Sequence, residues 1–162
     1  GDSPTLEVMA ATSLLRRELP ELRVRVVNVV DLFTLLMHRD HPHGFDEASF
    51  IDLFTETAPV IFAFHGHPRV IHELTYRRPN PARFHVRGYV EEGTTTTPFD
   101  MVVCNGMSRY DLAIEALHRT PRMQSRAGEI IAQFRQKLSD HKLYIHEHGE
   151  DMPEIRDWRW QG

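Results

Sequence analysis

Between Pro59 and Val103 the chain joins two apolar runs to two polar loops that few folds would need. Pro59 to His65 (PVIFAFH) reads as a buried strand. His65-Gly66-His67-Pro68 follows at once, and Pro68 opens a predicted helix through about Tyr76. Arg77 to Pro81 reads as a loop and Phe84 to Tyr89 as a further strand. Glu91-Glu92-Gly93 and four consecutive threonines, Thr94, Thr95, Thr96 and Thr97, then precede Pro98. That proline begins a helix near Met101 to Cys104, broken at Gly106.

The flanking segments carry the same alternation. Ser3-Pro4 is a serine cap followed by proline at the first helical position, and Leu6, Met9, Ala10 and Leu14 repeat at helical spacing. Arg23 to Val30 (RVRVVNVV) is predicted as a strand whose second half loses polar alternation, which suits cover on both faces as in a parallel sheet, and Asp31 to Met37 as a short helical turn. After a loop from His38 to Gly44, Asp46 caps a helix across which Phe45 can staple onto Phe50. Ser108-Arg109-Tyr110-Asp111 is a capping-box variant that opens a helix to about His118. Ser125 to about His148 is a long helix with Ile130, Ile131, Phe134, Leu138 and Ile145 on its apolar side, stopped by Gly149. The tail beyond is read as irregular, with Trp158 and Trp160 as anchors.

Strands alternating with helices imply an α/β domain with a mostly parallel sheet. The 162 residues suffice for one domain and one core, and no internal repeat or linker divides them. Gly1 to Pro4 reads like the turn after a strand, so the domain is expected to lack its N-terminal strand and to be a fragment of a larger protein.

A net charge of −4 argues against a nucleic-acid binder. No apolar run approaches the roughly 20 residues of a membrane helix, and no signal peptide is legible at the start. Cys104 is the single cysteine, which excludes an internal disulfide and a cysteine metal cluster and fits a reducing cytoplasm. It follows Val102-Val103 and is read as a small buried residue. Seventeen arginines stand against two lysines, a bias that suits bidentate phosphate or carboxylate binding and that codon usage also explains.

Four groups are candidate sites. His65 and His67 lie at the carboxyl end of a predicted strand, the edge where open parallel sheets receive ligands. The pair can supply imidazole nitrogens to a metal, but a hydrolytic centre needs further ligands and a base; a hydrogen-bonded contact against another domain is the favoured role. His41 and His43 sit in a loop, where backbone partners account for them more simply than a phosphate does. Arg77 and Arg78 can meet a phosphate or separate carboxylates, and as neighbours they point in different directions. Thr94 to Thr97 offer more hydroxyls than one cap requires. A subunit seam is favoured over a plain capped loop or an anion contact, because Glu91 and Glu92 disfavour a highly charged phosphate. No glycine-rich phosphate loop, Ser-His-Asp or Cys-His arrangement is legible.

The words HPHG at His41 to Gly44, HGHP, EEGTTTTPFD and the ending GEDMPEIRDWRW together resemble the C-terminal region of phosphoketolases, over essentially the whole chain. The resemblance implies a three-layer α/β/α fold like the transketolase C-terminal domain. It implies a parent that uses thiamine diphosphate and Mg2+ to cleave xylulose 5-phosphate or fructose 6-phosphate with inorganic phosphate, giving acetyl phosphate and an aldose phosphate. The cofactor motifs of such enzymes lie in upstream domains and none is present here, so no catalytic, cofactor or metal residue is carried over. The role implied is structural and dimer-supporting in a homo-oligomer, with regulation also open to it. Two rivals are an independent Rossmann-like module binding a nucleotide or sugar phosphate, and a small metal hydrolase built on His65 and His67.

Overall fold

A computed structural model describes residues 2–90 and 95–160. Helix α1 spans Asp2–Glu18, α2 Glu47–Phe54, α3 Arg69–Thr75, α4 Pro98–Cys104, α5 Arg109–His118, α6 Gln124–His148 and α7 Pro153–Arg156. Strands β1 (Val60–Phe64) and β2 (Phe84–Gly88) pair in parallel, with Val60 opposite Phe84 and Phe64 opposite Gly88. Short 3-10 turns cover Leu32–Leu35, Pro81–Arg83 and Pro121–Met123.

The two faces of β1 divide the core by strand alternation. Ile61 and Ala63 pack against a cluster formed by Leu15, Phe99, Val102, Leu117, Ile131 and Phe134, from α1, α4, α5 and α6. Val60, Phe62 and Phe64 pack against Leu35, Phe50, Phe54 and Ile71, from the first 3-10 turn, α2 and α3. Helices therefore cover both faces of a parallel sheet, the α/β arrangement expected from the alternating pattern. Gly88 allows the closest approach in the sheet: a Cβ there would collide with the Gly66 carbonyl oxygen of the loop after β1.

The helix ends follow their cap residues. The Asp46 side chain accepts from the Ser49 N–H at 2.8 Å, Ser108 from the Asp111 N–H at 3.2 Å and Thr97 from the Asp100 N–H at 3.3 Å. Gly149 takes the left-handed conformation (φ 69°) and donates to the Ile145 carbonyl, closing α6.

Three expectations are corrected. Arg23 to Val30 has no regular secondary structure, with a bend at Val30, and is not part of the sheet, which among the described residues has two strands. Val24 turns into the first core and Val27 and Val29 into the second, while Val26 and Val30 are exposed. Its β-branched side chains favour extended backbone, but a ladder needs a partner edge, and none is paired to it here. The tail is not wholly irregular, because Pro153 starts the single turn of α7 and buries Ile155. Cys104 is exposed, not buried. Helix α4 turns Phe99 and Val102 inward, and two residues beyond Val102 a helix has rotated by about 200° to its outer side.

Candidate functional site

The sheet's carboxyl edge and the start of α4 gather most of the candidate residues, but they face different ways. His65 follows β1 directly, is exposed, and lies tilted against the Tyr89 ring at 5.0 Å between centroids. His67 turns its Nδ1 back to accept the Arg69 N–H at 3.3 Å, beside the start of α3. The two imidazoles therefore have different local partners. Among the described residues, no group of three or more His, Cys, Asp or Glu side chains is arranged to hold a metal ion.

The threonine run is partly used within its own helix. Thr97 is the cap of α4, and Thr96 Oγ1 donates to Asp100 Oδ2 at 2.5 Å. Thr95 is exposed, and Thr94 lies outside the described residues, as do Glu91 to Gly93. Two of the four hydroxyls thus have partners in the first turn of α4. Nearby, the Asn105 side chain accepts from the Val90 N–H and donates to the Met101 carbonyl, tying the end of β2 to α4.

Arg77 and Arg78 separate as adjacent helix-end residues do. Arg77 is exposed and reaches Asp40 at 3.1 Å and the Tyr76 hydroxyl at 2.6 Å. Arg78 is buried, with its guanidinium carbon 4.0 Å from the centre of the Phe50 ring. Its Nε donates to the Leu35 carbonyl at 2.9 Å, and its Nη2 to the carbonyls of Thr34, Leu36 and Phe45. Desolvation pulls its pKa below the usual arginine value, with Glu47, Asp46 and Asp40 opposing. The side chain works as a clamp on the loop around the first 3-10 turn. His41 and His43 sit on the outside of that loop: His41 stacks on Phe33 at 4.3 Å, and His43 Nδ1 meets Asp31 Oδ2 at 2.8 Å.

Three polar residues were not singled out as candidate site residues by their sequence. Arg83 is buried and donates to the carbonyls of Phe54, Thr55 and Ala58, closing the C-terminal end of α2. Glu7 and Arg109 form a buried ion pair between α1 and α5. Arg109 lies over the rings of Phe99 and Trp158, at 5.4 and 5.2 Å, which is what anchors the tail tryptophan. Trp160 is more exposed and sits 6.0 Å from the Arg16 guanidinium.

A family model described as the XFP C-terminal domain matches residues 1–160. The chain belongs to the family of phosphoketolase C-terminal domains. A protein of Bradyrhizobium diazoefficiens named probable phosphoketolase is 60% identical over 162 residues, which is all of this chain and 20% of that protein. Similarly named proteins of Rhodopseudomonas palustris and Pseudomonas putida are 57% and 56% identical, covering 100% and 99% of the chain. The chain spans about one fifth of the length of these curated phosphoketolases.

The described residues do not fit the thiamine diphosphate and divalent cation that a phosphoketolase parent implies. No carboxylate and histidine cluster is placed for the metal. The buried arginines Arg78 and Arg83 are turned onto backbone carbonyls. No described helix is long and apolar enough to cross a membrane.

Proposed function

We propose that this chain is the C-terminal domain of a longer cytoplasmic phosphoketolase, and that it acts there through support and assembly rather than chemistry. One observation carries the reading: a family match along residues 1–160 in a chain one fifth as long as its relatives. The parent cleaves xylulose 5-phosphate or fructose 6-phosphate with inorganic phosphate, and thiamine diphosphate, bound with Mg2+ by domains upstream in the same polypeptide, supplies the carbanion chemistry. This domain contributes surfaces to a homo-oligomer. His65 and Thr95, both exposed at the carboxyl end of the sheet and before α4, are its contact candidates, with His67 and Thr94 beside them in sequence and Arg77 exposed after α3.

Two experiments test this. The isolated chain, mixed with xylulose 5-phosphate, phosphate, thiamine diphosphate and Mg2+, is expected to form no acetyl phosphate above a protein-free control; formation would overturn the assembly role. In the full-length parent, replacing Thr95 and Thr96 together by valine removes two hydroxyls at nearly constant shape. A seam role predicts a dimer weaker by about 1–3 kcal/mol per buried group left unpaired, read by sedimentation across a dilution series. A normal dimer with a selectively raised KM for phosphate would replace the seam with an anion contact.

A further inference from the structure

Between α4 and α6 lie three buried polar atoms without a hydrogen-bond partner: both ring nitrogens of His141 and Oδ1 of Asp151. His141 is only 1% exposed. Its Nε2 stands 3.8 Å from Asp151 Oδ1, beyond hydrogen-bond reach. The other Asp151 oxygen accepts the Phe99 N–H at 3.2 Å in the first turn of α4, and the Phe99 ring meets the imidazole edge-on at 4.6 Å. Asp151 thus holds the chain after α6 against α4, while the histidine lies directly behind it.

Two carboxylates act on the ring, one from the chain after α6 and one from α4. Asp151 and, from α4, Asp100 favour its protonated form, whereas burial opposes it more strongly and holds the imidazole below its usual range. Asp100 is engaged by Thr96 and approached by Cys104. On α6 itself, Lys137 is paired with Glu154 of α7, and the Tyr144 ring lies tilted against His148. Arg109 of α5 lies on the Phe99 ring and is paired with Glu7. Among the described residues, Asp151 is therefore the one carboxylate paired with the ring within 4 Å.

We propose that His141 is an acid-sensitive switch for residues 149–160: protonating its ring draws Asp151 off α4 and shifts that segment. A charge in this apolar setting needs a partner. A charge-assisted bond to Asp151 forms at about 2.8 Å, so Oδ1 must move about 1 Å toward the ring. The Phe99 contact on Oδ2 is already long, and the same carboxylate cannot satisfy both demands without shifting the chain that carries it. That chain also carries Ile155, buried in the main core, and Trp158, seated on Arg109, so the shift is transmitted to both anchors.

The test follows the His141 ring and the Trp158 indole by NMR while the chain is titrated from pH 8 to pH 5. Expected is one transition below pH 6.5, with the same midpoint for the ring and the indole. His141→Phe keeps an aromatic against Phe99 and should abolish the indole transition. Asp151→Asn keeps an oxygen for the Phe99 N–H, removes the charge that favours protonation, and should move the midpoint to lower pH. An unchanged indole transition in His141→Phe would overturn the proposal. So would an indole that stays fixed while His141 titrates, or an unmoved midpoint in Asp151→Asn. If His141→Phe loses its near-UV circular dichroism, the Asp151→Asn midpoint decides alone.

Discussion

The Glu7 carboxylate faces the Arg109 guanidinium side-on, with Nη2 to Oε1 at 2.7 Å and Nε to Oε2 at 3.0 Å. Oε2 also accepts the Arg109 backbone N–H at 2.6 Å, in the first turn of α5. One carboxylate therefore neutralises a buried cation and satisfies a helix-start donor that has no partner within its own helix. It does so from α1, 102 residues away in sequence.

Breaking this pair from either side should be costly. Glu7→Ala leaves a guanidinium buried among Phe99 and Trp158, and Arg109→Ala leaves a bare buried carboxylate. Each is expected to lower unfolding free energy by about 3–5 kcal/mol in urea melts. Replacing both by apolar residues of similar volume, as in Glu7→Leu with Arg109→Met, should cost less than either single change. A double variant as weak as the sum of the singles would show that the two act independently.

Arg77 and Arg78 should separate by a wide margin. Arg78→Ala leaves the carbonyls of Leu35, Leu36 and Phe45 without their charged donor, and each such bond contributes about 1.5–3 kcal/mol before overlap is discounted. Arg77 is exposed, and losing its bond to Asp40 should change stability by no more than about 1 kcal/mol. Melts of the two alanine variants measure this directly. An Arg78→Ala variant as stable as Arg77→Ala would remove the clamp role.

What was readable in advance is what local chemistry decides. Asp46, Thr97, Ser108 and Gly149 each act on the backbone within four residues, and the helices end where these residues place them. Pairing is not local. The valines of 23–30 specify extended backbone and leave open what edge lies alongside. Which of two adjacent arginines turns inward is likewise settled by Phe50 and the carbonyls it meets, all distant in sequence. Glu7 and His141 did leave a signal. Glu7 falls on the buried stripe Pro4, Glu7, Ala11, Leu15 of α1, and His141 follows Phe134 and Leu138 at helical spacing on α6. A polar residue on an apolar stripe is the pattern that points to a buried pair.

The sheet should gain from one more strand. All five residues of β1 are only half-buried, although Val60 to Phe64 are entirely apolar, and 23–30 lies outside the ladder. Placing about a strand's length of the parent's native residues before Gly1 should raise both solubility and the melting midpoint. One added kcal/mol corresponds to about 2–4 °C in a domain of this size. An unchanged midpoint would mean that β1 gains no partner from that stretch.

Alkaline stability should depend on Tyr110. Its ring lies among Phe99 and Phe134, at 6.3 and 5.8 Å, and its hydroxyl is 3.5 Å from Glu154 Oε1. Burial, with Glu154 adding to it, pushes the phenol up to about 12 from an ordinary value of 10.0. The folded state therefore holds this proton after the unfolded chain has released it. The contribution is fully present below pH 10 and is lost as pH rises toward 12. Two pH units of displacement correspond to about 2–3 kcal/mol. The comparison is with Tyr110→Phe, which removes this phenol alone. At pH 7 the two should have nearly equal urea midpoints, because a 3.5 Å contact contributes little as a hydrogen bond. Between pH 10 and pH 11.5 the wild type should lose stability faster than Tyr110→Phe. Parallel curves would show that the phenol ionises in the folded state as readily as in the unfolded chain.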